Sequence, residues 1–433
     1  MFNELVKISA ALALSTGISF LSSVADDAPT SRSGNSPGGL NLWNTGYYNQ
    51  LDALNNKKMP VSAIPWSKYT HVIHANILPK INADGAPGID SSTYQIDANA
   101  AEFTNEAHQA GVKALVALII CTNQVAAMDN NTSPANIDAF VKQLAQFIKS
   151  KEYDGIDIDW EEGLAVDRVV NFVTMLRDAL PAPQYAITFA ASLKSAKYIN
   201  SVVDKLDQIN LMCYDWSGQD YAGQEINRLG FNSALLSGQG MRLGDYANLR
   251  SIEEEVYWVS VRRGIPKNKL GILMPFYGFI VKAPRKDSDR GVTGPEQLTR
   301  SPVRMWLDKS KILNYTYWAA LQKSEYWTKG KKIWDEGRKT PYIAYTGENA
   351  AQDAYVTYTN PRQIMEAVKW AKANGIGGMG CYALEEEYLP ERNGEDRYQL
   401  STALYKSIIS NTAQLDAMIA SETKSESDRN TAK

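Results

Sequence analysis

An α/β chain closed as a (β/α)8 TIM barrel, with a small α+β module inserted late, is the fold class this sequence predicts, and three observations predict it. Eight short apolar runs of strand character are spread along the 433 residues. Amphipathic segments of helical period lie between them. One interval of roughly 80 residues, too apolar for a disordered loop, breaks the alternation near the end. A doubly wound sheet would fit the alternation less well, since eight strand–helix units match a closed barrel.

The elements follow in chain order. Residues 1–25 read as a secretory signal: Lys7 precedes an apolar stretch from Ile8 to Leu21, and small residues at Ser23 and Ala25 fit cleavage after Ala25. The stretch is shorter than the ~20 apolar residues that a membrane span requires. Residues 26–38 form a polar linker rich in Pro, Gly and Ser. Strands are expected at Leu42–Tyr48, His71–Ile77, Val112–Ile120, Gly155–Trp160, Tyr185–Ala190, Gln208–Tyr214, Leu270–Phe276 and Gly377–Tyr382. Ile137, Phe140, Val141, Leu144, Phe147 and Ile148 recur at helical spacing after Ser133-Pro134. A second helix opens at Asn360-Pro361 and stops at Gly375. The barrel should therefore occupy residues 39–278 and 360–412. The inserted module, with Trp306, Trp318, Trp327 and Trp334, should occupy 279–359 between the seventh strand and the last helix–strand unit. The polar tail 413–433 is expected to be disordered.

Composition narrows the partners. With 45 basic and 48 acidic residues the net charge is −3, and no basic block marks a nucleic-acid or anionic membrane surface. Tyr (23) and Trp (10) together outnumber Phe (10), and their flat apolar faces with polar edges suit sugar rings as well as cores. Three cysteines, Cys121, Cys213 and Cys381, lie far apart in strand-like surroundings and are expected to be buried free thiols. His71, His74 and His108 lack metal-ligand spacing, so neither a metal nor another cofactor is expected.

The chemistry concentrates in Asp154-Gly155-Ile156-Asp157-Ile158-Asp159-Trp160-Glu161. On a strand, Asp157, Asp159 and Glu161 share one face while Ile156, Ile158 and Trp160 share the other. Three neighbouring carboxylates cannot all ionise cheaply when buried. Repulsion should push at least one proton back on, the condition for a carboxylic acid that donates near neutral pH. A solvated acidic face does not alternate with Ile, Ile and Trp, and a calcium loop needs a Gly turn with flexible polar flanks.

This octapeptide resembles the D-G-x-D-x-D-x-E signature of family 18 glycoside hydrolases, the chitinases and their relatives. Met212-Cys213-Tyr214-Asp215 is similar to the family's M-x-Y-D on the sixth strand, and Pro275-Phe276-Tyr277-Gly278 to the seventh. Gly46-Tyr47-Tyr48, Thr70-His71-Val72 and Gly377-Gly378-Met379 resemble strands one, two and eight, and Trp334-Asp335 through Pro341-Tyr342 the end of a chitinase insertion domain. The resemblance covers roughly residues 40–410 and departs at three places. Tyr382 stands where the family usually has Trp, Ala75-Asn76 where it has Ala-Phe, and Leu118-Ile119-Ile120-Cys121 where it has Ser-x-Gly-Gly.

The resemblance implies a secreted chitinase, extracellular or, in a Gram-negative source, periplasmic, that cleaves β-1,4 bonds between N-acetylglucosamine units of chitin or chitooligosaccharides. It implies a retaining, substrate-assisted route, an exception to the two-carboxylate scheme. Glu161 would act as acid and then base, Asp159 would orient the acetamide, Asp157 would share a proton with Asp159, and Tyr214 would bond the acetamide carbonyl. Asp215, Met212, Tyr382, Tyr47, Tyr277 and Trp216 would line the substrate groove. Two rivals stay open at this point: an endo-β-N-acetylglucosaminidase acting on N-glycans, and a chitin-binding lectin on the same barrel. Nucleic acid and stable membrane association are not expected, and oligomeric state is open.

Overall fold

The computed structural model describes residues 42–163, 165–216, 230–238, 250–282, 313–349 and 352–431. The expected signal (1–25) and linker (26–38) lie outside them. In chain order the strands are β1 (Trp43–Asn49), β2 (His71–Ile81), β3 (Pro87–Asp90), β4 (Lys113–Ile120), β5 (Gly155–Trp160), β6 (Ala186–Ala191), β7 (Gln208–Met212) and β8 (Leu270–Pro275). They continue with β9 (Tyr277–Val281), β10 (Leu313–Tyr317), β11 (Lys331–Asp335), β12 (Thr340–Tyr345), β13 (Ala354–Thr357) and β14 (Gly378–Tyr382).

Parallel pairing runs β1, β2, β4, β5, β6, β7, β8, β14 and returns to β1, which closes an eight-stranded barrel. Each barrel strand starts within one residue of its predicted position. The sixth stops at Met212, short of Tyr214, and the second runs on to Ile81 because its end pairs antiparallel with β3. Ile156, Ile158 and Trp160 point outward into the apolar layer between barrel and helices, each at most 1% exposed, as the alternation demands.

The helices obey their local signals. In helix Ile137–Ser150 the buried face is Ile137, Phe140, Val141, Leu144, Ala145 and Ile148. Helix Pro361–Ala373 begins where the Asn360 side chain accepts from the Gln363 amide at 2.9 Å, with Pro361 in its first turn. It stops before Gly375, whose φ of 70° belongs to the left-handed region.

A five-stranded antiparallel sheet, in the order β10, β9, β13, β12, β11, stands beside the barrel. Phe276 alone separates β8 from β9.

One expectation is corrected. The tail predicted to be disordered over 413–433 is helical over Thr412–Thr431. Leu415 is 1% exposed, and Met418 and Ile419 pack on the same core, an i, i+3, i+4 set diluted by polar neighbours in sequence. Lys369–Asp416 (2.6 Å) and Arg362–Glu426 (3.5 Å) fasten this helix to Pro361–Ala373.

Candidate active site

The carboxylate row is built by β5. Its first two motif residues serve the fold. Asp154 Oδ2 accepts from the Ala114 amide (2.8 Å) and from His108 Nε2 (2.9 Å), which ties the start of β5 to its neighbours. Gly155 has no room for a side chain, since a Cβ there would lie 2.0 Å from the Ala186 carbonyl oxygen. This close approach brings β6 into register, Asp157 opposite Thr188. Asp157, fully buried, accepts from the Thr188 hydroxyl and from the Tyr47 hydroxyl (2.9 Å). Asp159 lies one step nearer the strand mouth, and its Oδ1 finds no hydrogen-bond partner among the described residues. Glu161 follows the strand; its amide donates to the Ile120 carbonyl at 3.1 Å.

Burial sets the protonation of the row. It pushes Asp157 up to about 6, against the opposing hydrogen bonds from Thr188 and Tyr47. Asp159 is raised well above the carboxylate range, first by burial and then by the charges of Glu161 and Asp157. Glu161 is raised by burial; the Cys121 thiol opposes the rise, and Asp215 and Glu162 reinforce it. These groups therefore titrate as a set. Burial thus favours the protonated form throughout the row, whose outermost carboxyl, Glu161, is only partly buried.

Around the row stand four tyrosines from four strand ends. The ring of Tyr382 lies 5.8 Å from Tyr47 and 5.8 Å from Tyr214, and Tyr214 meets Tyr277 edge-on at 5.8 Å. Met212 packs against the same interior cluster. The Tyr214 hydroxyl makes no hydrogen bond among the described residues. Tyr277 donates to Asp215 Oδ1 at 2.6 Å. Asp215 adopts a left-handed φ of 61°, held by its amide bonding Asn232 Oδ1 at 2.9 Å. Burial raises its carboxyl, with the Tyr277 bond opposing.

Trp216 is corrected: it is 6% exposed, belongs to the outer apolar core and stacks under Arg250 at 5.3 Å, so it does not join the tyrosine cluster. The alternation of faces beyond Tyr214 breaks down because Asp215 turns the chain.

The sequence reading missed several neighbours. Cys121 was expected to be buried like Cys213 and Cys381, but it is half-buried at the barrel rim, and its Sγ donates to Glu161 Oε1 at 3.8 Å. Burial and the surrounding carboxylates hold the thiol protonated, up to about 12. Its position one residue past β4, level with Glu161 one past β5, was the available signal. Asn49 accepts from Tyr382 (3.3 Å) and donates to Glu385 (2.9 Å). Tyr315 of β10 stacks on Tyr277 at 4.9 Å and donates to Glu386 at 2.6 Å, raising a wall beside the cleft. Asp52, Glu385 and Glu386 bring carboxylate oxygens within 4.8 Å of one another, and the Lys57 ammonium, 3.4 Å from Asp52 and 3.8 Å from Glu386, supplies positive charge there. His74 is enclosed between Tyr153 and Gln50, away from any such group.

The comparison that decides membership is the family profile: that of Glycosyl hydrolases family 18 matches residues 44–387. The chain belongs to glycosyl hydrolases family 18. Among its relatives, an endochitinase of Manduca sexta is 25% identical over 273 residues, covering 57% of this chain and 45% of that protein. Chitotriosidase-1 of Mus musculus is 26% identical over 279 residues, covering 59% of this chain and 54% of that protein. The chain thus spans about half the length of these curated relatives. A solved Group IV chitinase of Ostrinia furnacalis superposes with a TM-score of 0.67 at 19% identity, covering 85% of this chain and all of that one, and so shares the fold of this family 18 barrel.

Proposed function

We propose that this family 18 chain is a secreted chitinase, hydrolysing β-1,4 bonds between N-acetylglucosamine units by a retaining, substrate-assisted route. The observation that carries the reading is the row itself: a raised, cleft-reachable Glu161 beside an Asp159 whose Oδ1 has no partner among the described residues. Protonated Glu161 gives its proton to the glycosidic oxygen as the C1–O bond breaks, and the substrate's acetamide carbonyl oxygen bonds to C1. Asp159 accepts the acetamide N–H, which completes its empty hydrogen-bonding site and stabilises the oxazolinium cation. The Tyr214 hydroxyl steadies the acetamide oxygen. Glu161, now a carboxylate, takes a proton from water as that water attacks C1 and releases the acetamide, giving net retention. The names of the relatives, endochitinase and chitotriosidase, support the substrate class.

The test is hydrolysis of chitotetraose and colloidal chitin by wild type and Glu161→Gln, with products resolved by mass. Glu161→Gln keeps the shape and removes the transferable proton, so the rate should fall by about 10²–10⁴. A wild type that binds the oligomer without cutting it would make the protein a lectin. One that trims N-glycoproteins instead would keep the mechanism and change the substrate.

A further inference from the structure

The ring of Tyr382, partly exposed at the barrel mouth, is tethered at its far end. Tyr47 and Tyr214 meet it at tilts of 51° and 32°, and Tyr277 at 78°, so none of them stacks flat upon it. Neighbours at such angles bound the ring without fixing how far it swings about its Cα–Cβ bond. The hydroxyl supplies that constraint. It donates to Asn49 Oδ1 at 3.3 Å, the one hydrogen bond it makes among the described residues.

Asn49 ends β1, and its side-chain amide is itself oriented. Its Nδ2 donates to Glu385 Oε1 at 2.9 Å, and its backbone amide donates to Glu385 Oε2 at 3.3 Å. With the nitrogen turned to Glu385, the amide oxygen is left to face Tyr382 as an acceptor. Glu385 is a fixed point for this purpose. It is fully buried in the turn Leu384–Glu387. On one side of it Glu386 accepts from Tyr315 at 2.6 Å and lies 3.8 Å from the Lys57 ammonium. On the other, Glu387 accepts from the Leu400 and Ser401 amides at 2.6 and 3.1 Å. A side chain that must present a flat face to a ligand at a set angle needs support of this kind behind it.

We propose that Asn49, oriented by Glu385, is a positioning residue for substrate, acting through Tyr382: it holds the phenol at the angle at which its ring lies along a bound sugar. This rests on the chitinase reading above, in which Tyr382 lines the groove. A ring that swings away from that angle loses both contact area and the placement of the sugar over the carboxylate row, so binding and turnover suffer together.

A double-mutant cycle tests it, read as kcat/KM on chitotetraose in the wild-type background and as calorimetric affinity for the same tetramer in full-length Glu161→Gln. Tyr382→Phe keeps the ring and removes the tether, and should lower both readings roughly fivefold, the effect of one neutral hydrogen bond. Asn49→Ala should lower them by a similar factor, and the two substitutions together by no more than either alone, because each breaks the same bond. An Asn49 that serves only the fold would cost the same factor whether residue 382 is Tyr or Phe. That outcome overturns the positioning role and leaves the chitinase reading standing. A Tyr382→Phe protein that matches wild type in both readings overturns it too, whether or not Asn49→Ala folds. If wild type binds the tetramer without cutting it, the catalytic reading falls, and non-additive affinities keep the positioning role. Neither binding nor cleavage removes both.

Discussion

The carboxyl proposed as the acid, Glu161, is bonded by a thiol. Cys121 donates to Glu161 while remaining protonated itself, so it stabilises the carboxylate and holds down a pKa that burial drives up. Removing it should raise the Glu161 pKa and carry the alkaline limb of kcat/KM to higher pH, because the general acid must be protonated. Cys121→Ala should show that displacement, and Cys121→Ser, a stronger donor at the same place, should restore the limb to the wild-type position or below. A pH profile that is identical in all three proteins would remove the thiol from the chemistry. At this scale the sequence disclosed the residues with alternating spacing, Asp157, Asp159 and Glu161, because a strand has only two faces. It could not disclose Asn49 or Tyr315, whose positions depend on which strand ends lie side by side. Trp216 was misread for the complementary reason: one left-handed residue, Asp215, undid the alternation that placed it.

Among the elements, the signals that repeat were legible and those that depend on a partner were not. Asn360-Pro361 announced a helix start, and the cap is present with a second duty, since Asn360 Nδ2 also donates to Glu426 of the C-terminal helix at 2.5 Å. Asn360→Ala should therefore cost about 1–2 kcal/mol, the upper part of the range for a lost cap, measured by chemical denaturation. A cost near zero would mean that water replaces both bonds. The C-terminal helix escaped notice because three large apolar residues among twenty, Leu415, Met418 and Ile419, look like a disordered polar tail until the helix Pro361–Ala373 is there to receive them.

Taken whole, the described residues hold several carboxyl groups away from water, among them Asp157, Glu255, Glu385 and Glu387. Glu387 is fully buried, accepting from the Leu400 amide at 2.6 Å and the Ser401 amide at 3.1 Å, and burial raises it from 4.5 to about 7. The folded chain then binds a proton that the unfolded chain has released between pH 4.5 and 7. Unfolding frees that proton, and stability falls as pH rises through this window. Glu387 alone contributes on the order of 3 kcal/mol to the fall, with Asp157 adding over the narrower span up to about 6. Thermal melting from pH 4.5 to 7 should show a declining Tm, with a shallower decline in Glu387→Gln. An unchanged slope in the variant would place the pH dependence elsewhere. The barrel as a whole was readable because eight repeats of one strand–helix rhythm reinforce each other, whereas the burial of the Leu384–Glu387 turn depends on contacts distant in sequence, such as the Leu400 and Ser401 amides.

The single residue Phe276 between β8 and β9 has a consequence for anyone who would treat the antiparallel sheet as an exchangeable part. Tyr277 is at once the first residue of that sheet and the donor that fixes Asp215, while Asn232 links Asp215 to Thr357 of β13. A chimera that transplants the sheet from another barrel with its junction therefore also transplants part of the barrel mouth around Asp215. Grafts joined after Gly278 should keep the position of Asp215 only if they also keep the hydroxyl of Thr357, and grafts joined before Tyr277 should inherit the donor's residue there.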